Sequence, residues 1–133
     1  MVFAHGFGGD QGRWRYVAPA FEVGYRVVVF DHIGAGGSDL DAYDPARCGR
    51  LEGYAADVVE IVEALELPPV VFVGHSVSAM IGGPAAVRRP ELFDRLILVS
   101  PSPRYINDDG YRGGFDQDEI DEPLETMDGN YLS

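Results

Sequence analysis

From Leu51 onward the apolar residues Leu51, Tyr54, Ala55, Val58, Ile61, Val62 and Leu65 recur at helical spacing, with Glu52, Asp57, Glu60 and Glu63 between them. That stripe predicts an amphipathic helix with one buried face and one acidic face. Pro68 and Pro69 close it, and the apolar run Val70 to Val73 reads as a strand covered on both sides. A second helix is predicted from Ala79 to about Arg89, and another strand over Leu96 to Val99. Upstream, Val2 to Ala4 reads as the end of a buried strand. Trp14, Val17 and Phe21 lie at near-helical spacing, Tyr25 to Phe30 is a further apolar run, and glycine-rich Asp31 to Asp39 is a loop.

Strands alternating with helices at this spacing predict the α/β class, with a parallel sheet and helices on both faces. In such sheets the reactive loops lie beyond the carboxyl ends of the strands. His5 to Asp10, Asp31 to Asp39, Gly74 to Ser78 and Ser100 to Arg104 are therefore expected on one rim, forming one site.

The pattern changes after Arg104. From Asn107 to Ser133 there are nine acids and one arginine, so this stretch carries -8 of the net -12. Asp116 and Glu119 suit a capping box, and Ile120, Leu124 and Met127 would line one side of the helix behind it. Pro123 lies inside that helix and Pro84 inside the helix after residue 76. An interior proline costs about 3 kcal/mol, so a kink or early end is expected at each.

Charge and composition narrow the function. A chain of 133 residues, 46% hydrophobic, has room for one core. The net charge of -12 argues against nucleic acid or an anionic membrane as partner, since either needs a basic patch. No apolar run approaches the roughly 20 residues of a membrane span, and the lone Cys48 cannot form an internal disulfide, so a cytoplasmic setting is expected. All ten basic residues are arginine, which fits GC-rich coding better than salt adaptation. The three histidines are dispersed without acid spacing, so no metal site and no cofactor are expected.

The chemistry centres on Gly74-His75-Ser76-Val77-Ser78, between a predicted strand and a predicted helix. Small residues two before and two after a serine allow a tight turn that lifts its hydroxyl above the sheet, where it can attack a carbonyl. Acyl transfer also needs two backbone N–H groups aimed at the developing oxyanion. Val77, opening the helix, and Phe7, in the turn His5-Gly6-Phe7-Gly8-Gly9, are the candidates. A base is not evident. His5, His32 and His75 all precede the serine, against the order serine, acid, histidine of this fold. The ring of His75 is expected to diverge from its neighbour's hydroxyl, His5 and His32 to act as polar contacts in their loops, and Asp31 to anchor a loop.

The segments Gly74-His75-Ser76-Val77-Ser78-Ala79-Met80-Ile81-Gly82, His5-Gly6-Phe7-Gly8, Leu51-Glu52-Gly53-Tyr54-Ala55 and Ser102-Pro103-Arg104-Tyr105-Ile106-Asn107-Asp108 carry a resemblance. They resemble the α/β-hydrolase branch that holds the bacterial sigma-B regulator RsbQ and the plant karrikin and strigolactone receptors, and Ser78 in place of the usual glycine is similar to this branch. The resemblance implies an α/β-hydrolase fold, Ser76 as nucleophile, Phe7 and Val77 as oxyanion-hole donors, and Phe7, Tyr105 and Phe115 as walls of an apolar ligand pocket. It implies that residues 1–104 are a partial hydrolase core and 105–133 the beginning of a helical lid. The chain then looks like an internal part of a family member, incomplete at both ends, with the triad aspartate and histidine outside it; Asp94 is not that aspartate.

Two functions follow from the resemblance. One is a serine hydrolase acting on a small apolar ester or lactone. The other is a signalling protein that binds a small ligand in the same pocket and meets a protein partner through the acidic lid, with little turnover. A truncated product without activity of its own is the third possibility.

Overall fold

The computed structural model describes residues 1–130, with side chains through residue 126. The side chain of Met127, expected to line one side of the last helix, and residues 131–133 of the expected lid lie outside that description. The chain divides into two compact units, Met1–Pro101 and a second beginning at Ser102.

The first unit is a four-stranded parallel sheet with strands β1 (Val2–Ala4), β2 (Val28–Phe30), β3 (Val70–His75) and β4 (Phe93–Val99), in the order β2-β1-β3-β4. Its helices are α1 (Pro45–Cys48), α2 (Leu51–Ala64) and α3 (Val77–Arg88). Alternation along the strands sends side chains to two cores. Val2 and Ala4 of β1, with Val70 and Phe72 of β3, meet Ala55, Val58, Val59 and Val62 of α2 and Ile81 and Ala85 of α3. Phe3 and Val73 point the other way, onto Trp14 and Ala18. The parallel α/β class read from the sequence is the class observed.

The differences are local. Trp14 and Phe21 fall in two short 3-10 turns, Gln11–Trp14 and Ala18–Phe21, instead of one helix, and Pro19 opens the second. Only Val28–Phe30 of the run from Tyr25 forms a strand, and it lies half-buried at the sheet edge where one neighbour is β1. Asp57, assigned to the solvated face of α2, has a side chain only 12% exposed and pairs with Arg47. α3 continues through Pro84 without an early end, because packing on β3, β4 and α2 outweighs one missing backbone bond.

In the second unit, Asn107 closes a short loop by accepting the Gly113 and Gly114 amides at 3.0 Å. Helix α4 (Gln117–Asn130) follows and runs through Pro123. The Asp116 amide donates to Glu119 Oε2 at 2.8 Å, the backward half of a capping box.

Candidate active site

β3 ends at His75 and α3 begins at Val77, so Ser76 alone makes the turn, at φ 56° and ψ -120°. A serine in this region carries strain of about 1–3 kcal/mol, which the surrounding structure must hold. Two hydrogen bonds do so: the Ser76 amide donates to the Val99 carbonyl of β4, and the Ala79 amide to the Ser76 carbonyl, both at 2.9 Å. The turn is tight enough that a Cβ on Gly74 would stand 2.4 Å from the Ser78 carbonyl oxygen, so residue 74 must be glycine. Ser76 is half-buried, and its side chain makes no cap to the helix it precedes.

The turn after β1 leans on this bend. A Cβ on Gly6 would lie 3.1 Å from Ser76 Cβ and 2.8 Å from His75 Nδ1. The absence of a side chain at residue 6 thus lets the backbone just before Phe7 pass close to the serine. Phe7 is 69% exposed, and no hydrogen bond among the described residues engages its amide. Val77 occupies the first position of α3, where a helix leaves its N–H groups without internal partners.

His5 and His32 are committed elsewhere. His5 Nδ1 lies 2.9 Å from the Gly6 carbonyl, which only accepts, so Nδ1 carries the proton. His5 Nε2 in turn accepts the His32 amide at 3.2 Å, so both ring nitrogens of His5 are engaged within the rim. The Ser78 hydroxyl donates to the His5 carbonyl and, its single proton spent, accepts from His32 Nε2 at 2.7 Å. His32 is therefore the Nε2–H tautomer. Burial pushes its pKa down from 6.5 to about 4, with the nearby His5 adding to the shift and Asp31 opposing it. His75 Nδ1 is buried without a partner among the described residues. None of the three rings bonds to Ser76.

Asp31 anchors loops, as expected from its place at the strand end. It accepts the Gln11 amide at 2.6 Å, the Gln11 side chain at 3.0 Å and the Gly37 amide at 2.9 Å. Burial raises its pKa, but these donors outweigh that and hold the carboxyl below its usual value. The loops after β1 and β2 are thus joined at the rim.

Ser78 is legible in the sequence as a small residue of the turn and a mark of the branch; its bonds are not. The signal was present, since a hydroxyl inside the apolar run Val77 to Ile81 would be buried and must find a partner. In the second unit, Tyr105 and Phe115 are neighbours: the Phe115 amide donates to the Tyr105 carbonyl at 3.1 Å, and both rings are partly exposed. Among the described residues no cluster of three or more His, Cys, Asp or Glu could hold a metal ion, and no helix is long and apolar enough to cross a membrane.

Comparison with known proteins agrees with this geometry. The chain is 49% identical over 131 residues to a rice (Oryza sativa subsp. japonica) protein named as a probable esterase, covering 98% of this chain and 48% of the relative. It is equally, 49%, identical over 131 residues to karrikin insensitive 2 receptor CA of Petunia hybrida, again covering 98% and 48%. The solved structure of olei00960, a hydrolase from Oleispira antarctica, superposes with a TM-score of 0.91 at 42% identity, over 98% of this chain and 48% of that one. The chain spans about half the length of the curated relatives it matches. Residues 1–125 match the family described as alpha/beta hydrolase fold, and the chain belongs to that family.

Proposed function

We propose that the protein carrying this chain is a serine hydrolase of small apolar esters or lactones, with Ser76 as nucleophile. The observation that carries the reading is the left-handed Ser76 backbone, at φ 56° between β3 and α3, beside the Gly6-Phe7 turn. In this reading Ser76 Oγ attacks the carbonyl carbon while a histidine base takes its proton. The resulting oxyanion is held by the Phe7 and Val77 amides. The alcohol leaves with a proton returned by the same base, and water releases the acid. Because none of the three histidine rings bonds to Ser76, this reading takes the base from outside these 133 residues. Phe7, exposed in the turn after β1, would supply an apolar wall of the ligand site.

The test is hydrolysis of 4-nitrophenyl acetate by the full-length protein. Ser76→Ala should lower kcat by at least about 1,000-fold, since the nucleophile is lost and only binding and the oxyanion site remain. An unchanged rate removes the reading.

A second reading, supported by the similarity to karrikin insensitive 2 receptor CA, is RsbQ-like or receptor-like signalling from the cytoplasm. The same pocket captures a small ligand, and the acidic segment around Asp118 and Glu119 meets a protein partner. Charge reversal at those two residues would weaken partner capture and spare turnover; unchanged capture rejects that surface.

A further inference from the structure

The most enclosed polar group near Ser76 is not part of the nucleophile or its amide donors. Ser78 is 0% exposed, His5 1% and His32 7%, and their hydrogen bonds close a ring. The His32 amide donates to His5 Nε2, His32 Nε2 donates to Ser78 Oγ, and Ser78 Oγ donates to the His5 carbonyl. Three parts of the fold meet in that ring: His5 follows β1, His32 follows β2, and Ser78 lies in the first turn of α3. Each donor has one acceptor, so the proton positions are determined throughout.

The bond from the Ser78 hydroxyl to the His5 carbonyl links two stretches that each carry an amide of the proposed oxyanion site. The His5 carbonyl belongs to the His5–Gly6 peptide, one step before the Gly6–Phe7 peptide that carries the Phe7 N–H. Val77 immediately precedes Ser78. This side-chain bond is thus a tie, beside the β1–β3 pairing, between the two elements that carry those amides.

We propose that Ser78 is a positioning residue whose hydroxyl, oriented by the His32 Nε2–H, locks the β1 turn to α3 so that the Phe7 and Val77 amides converge on one oxyanion. This rests on the hydrolase reading above. A glycine at residue 78 would leave the turn of the chain possible but remove the lock, with the His32 Nε2–H then buried without an acceptor.

The test joins kinetics on the full-length protein with imidazole NMR. With 4-nitrophenyl acetate, Ser78→Ala should lower kcat roughly 10- to 100-fold, the scale for a misplaced catalytic group, and leave KM within about twofold. In the wild-type protein, 15N-labelled histidine should place the His32 proton on Nε2, protected from exchange, and Ser78→Ala should abolish that protection. A proton on Nδ1 of His32 overturns the proposal, and this wild-type measurement stands even if Ser78→Ala does not fold. An unchanged kcat in Ser78→Ala, with Ser76→Ala inactive, overturns the positioning role and leaves the hydrolase reading intact. Full activity in Ser76→Ala overturns both.

Discussion

The carbonyl oxygen of Ser78 sits directly over Gly74, 2.4 Å from where any side chain at that residue would begin. The strained serine between them exists because the strand and the helix come this close. Gly74→Ala cannot be absorbed by a side-chain rotation, as the clash is with backbone. It should destabilise the protein by about 2–4 kcal/mol, on the scale of overpacked core sites. Urea unfolding checks this: a lower midpoint at unchanged slope is expected, and a wild-type midpoint would mean that the turn is looser than described.

His32 gives the protein a pH dependence with a definite sign. Its native pKa of about 4 lies below the ordinary 6.5, so between these values the unfolded chain binds more protons than the folded one. The associated stability is fully present above pH 6.5 and is lost as pH falls toward 4, an effect of about 3 kcal/mol at most. Urea midpoints at about pH 7.5 and about pH 4.5 should fall further for wild type than for His32→Gln, which does not titrate. Equal falls would mean that His32 is not held neutral by burial.

Phe72 is the largest contributor of β3 to the core between the sheet and its helices, and it is fully buried. Phe72→Ala should cost about 3–5 kcal/mol through lost transfer energy and the cavity left behind. Thermal unfolding with a calorimetric enthalpy checks it; a loss under about 1 kcal/mol would indicate that the core collapses around the gap.

Much of this was legible because periodicity and turn chemistry report local preferences directly. The stripe from Leu51 to Leu65 marks α2, and the run before Gly74 marks β3. What was missed depends on contacts distant in sequence. Asp57 looked solvated because its burial comes from Arg47, ten residues away on α1. Helix α1 itself is only four residues long, yet Asp44 and Pro45 form a cap and first turn that a search for long stripes passes over. The His5, His32 and Ser78 ring spans up to 73 residues. No spacing rule reaches that far, although each member is a polar residue in an apolar setting. Pro84 reads as a breaker from propensity alone, and packing overrides it.

The nucleophile can be tested without any substrate preference. The full-length protein is treated with an aryl fluorophosphonate, digested at arginine, and the peptide Leu51 to Arg88, which contains both Ser76 and Ser78, is sequenced by tandem mass spectrometry. The label should lie on Ser76 alone, because Ser76 is half-buried whereas Ser78 is fully buried. A label on another serine, or an unlabelled protein that still hydrolyses esters, would contradict the account.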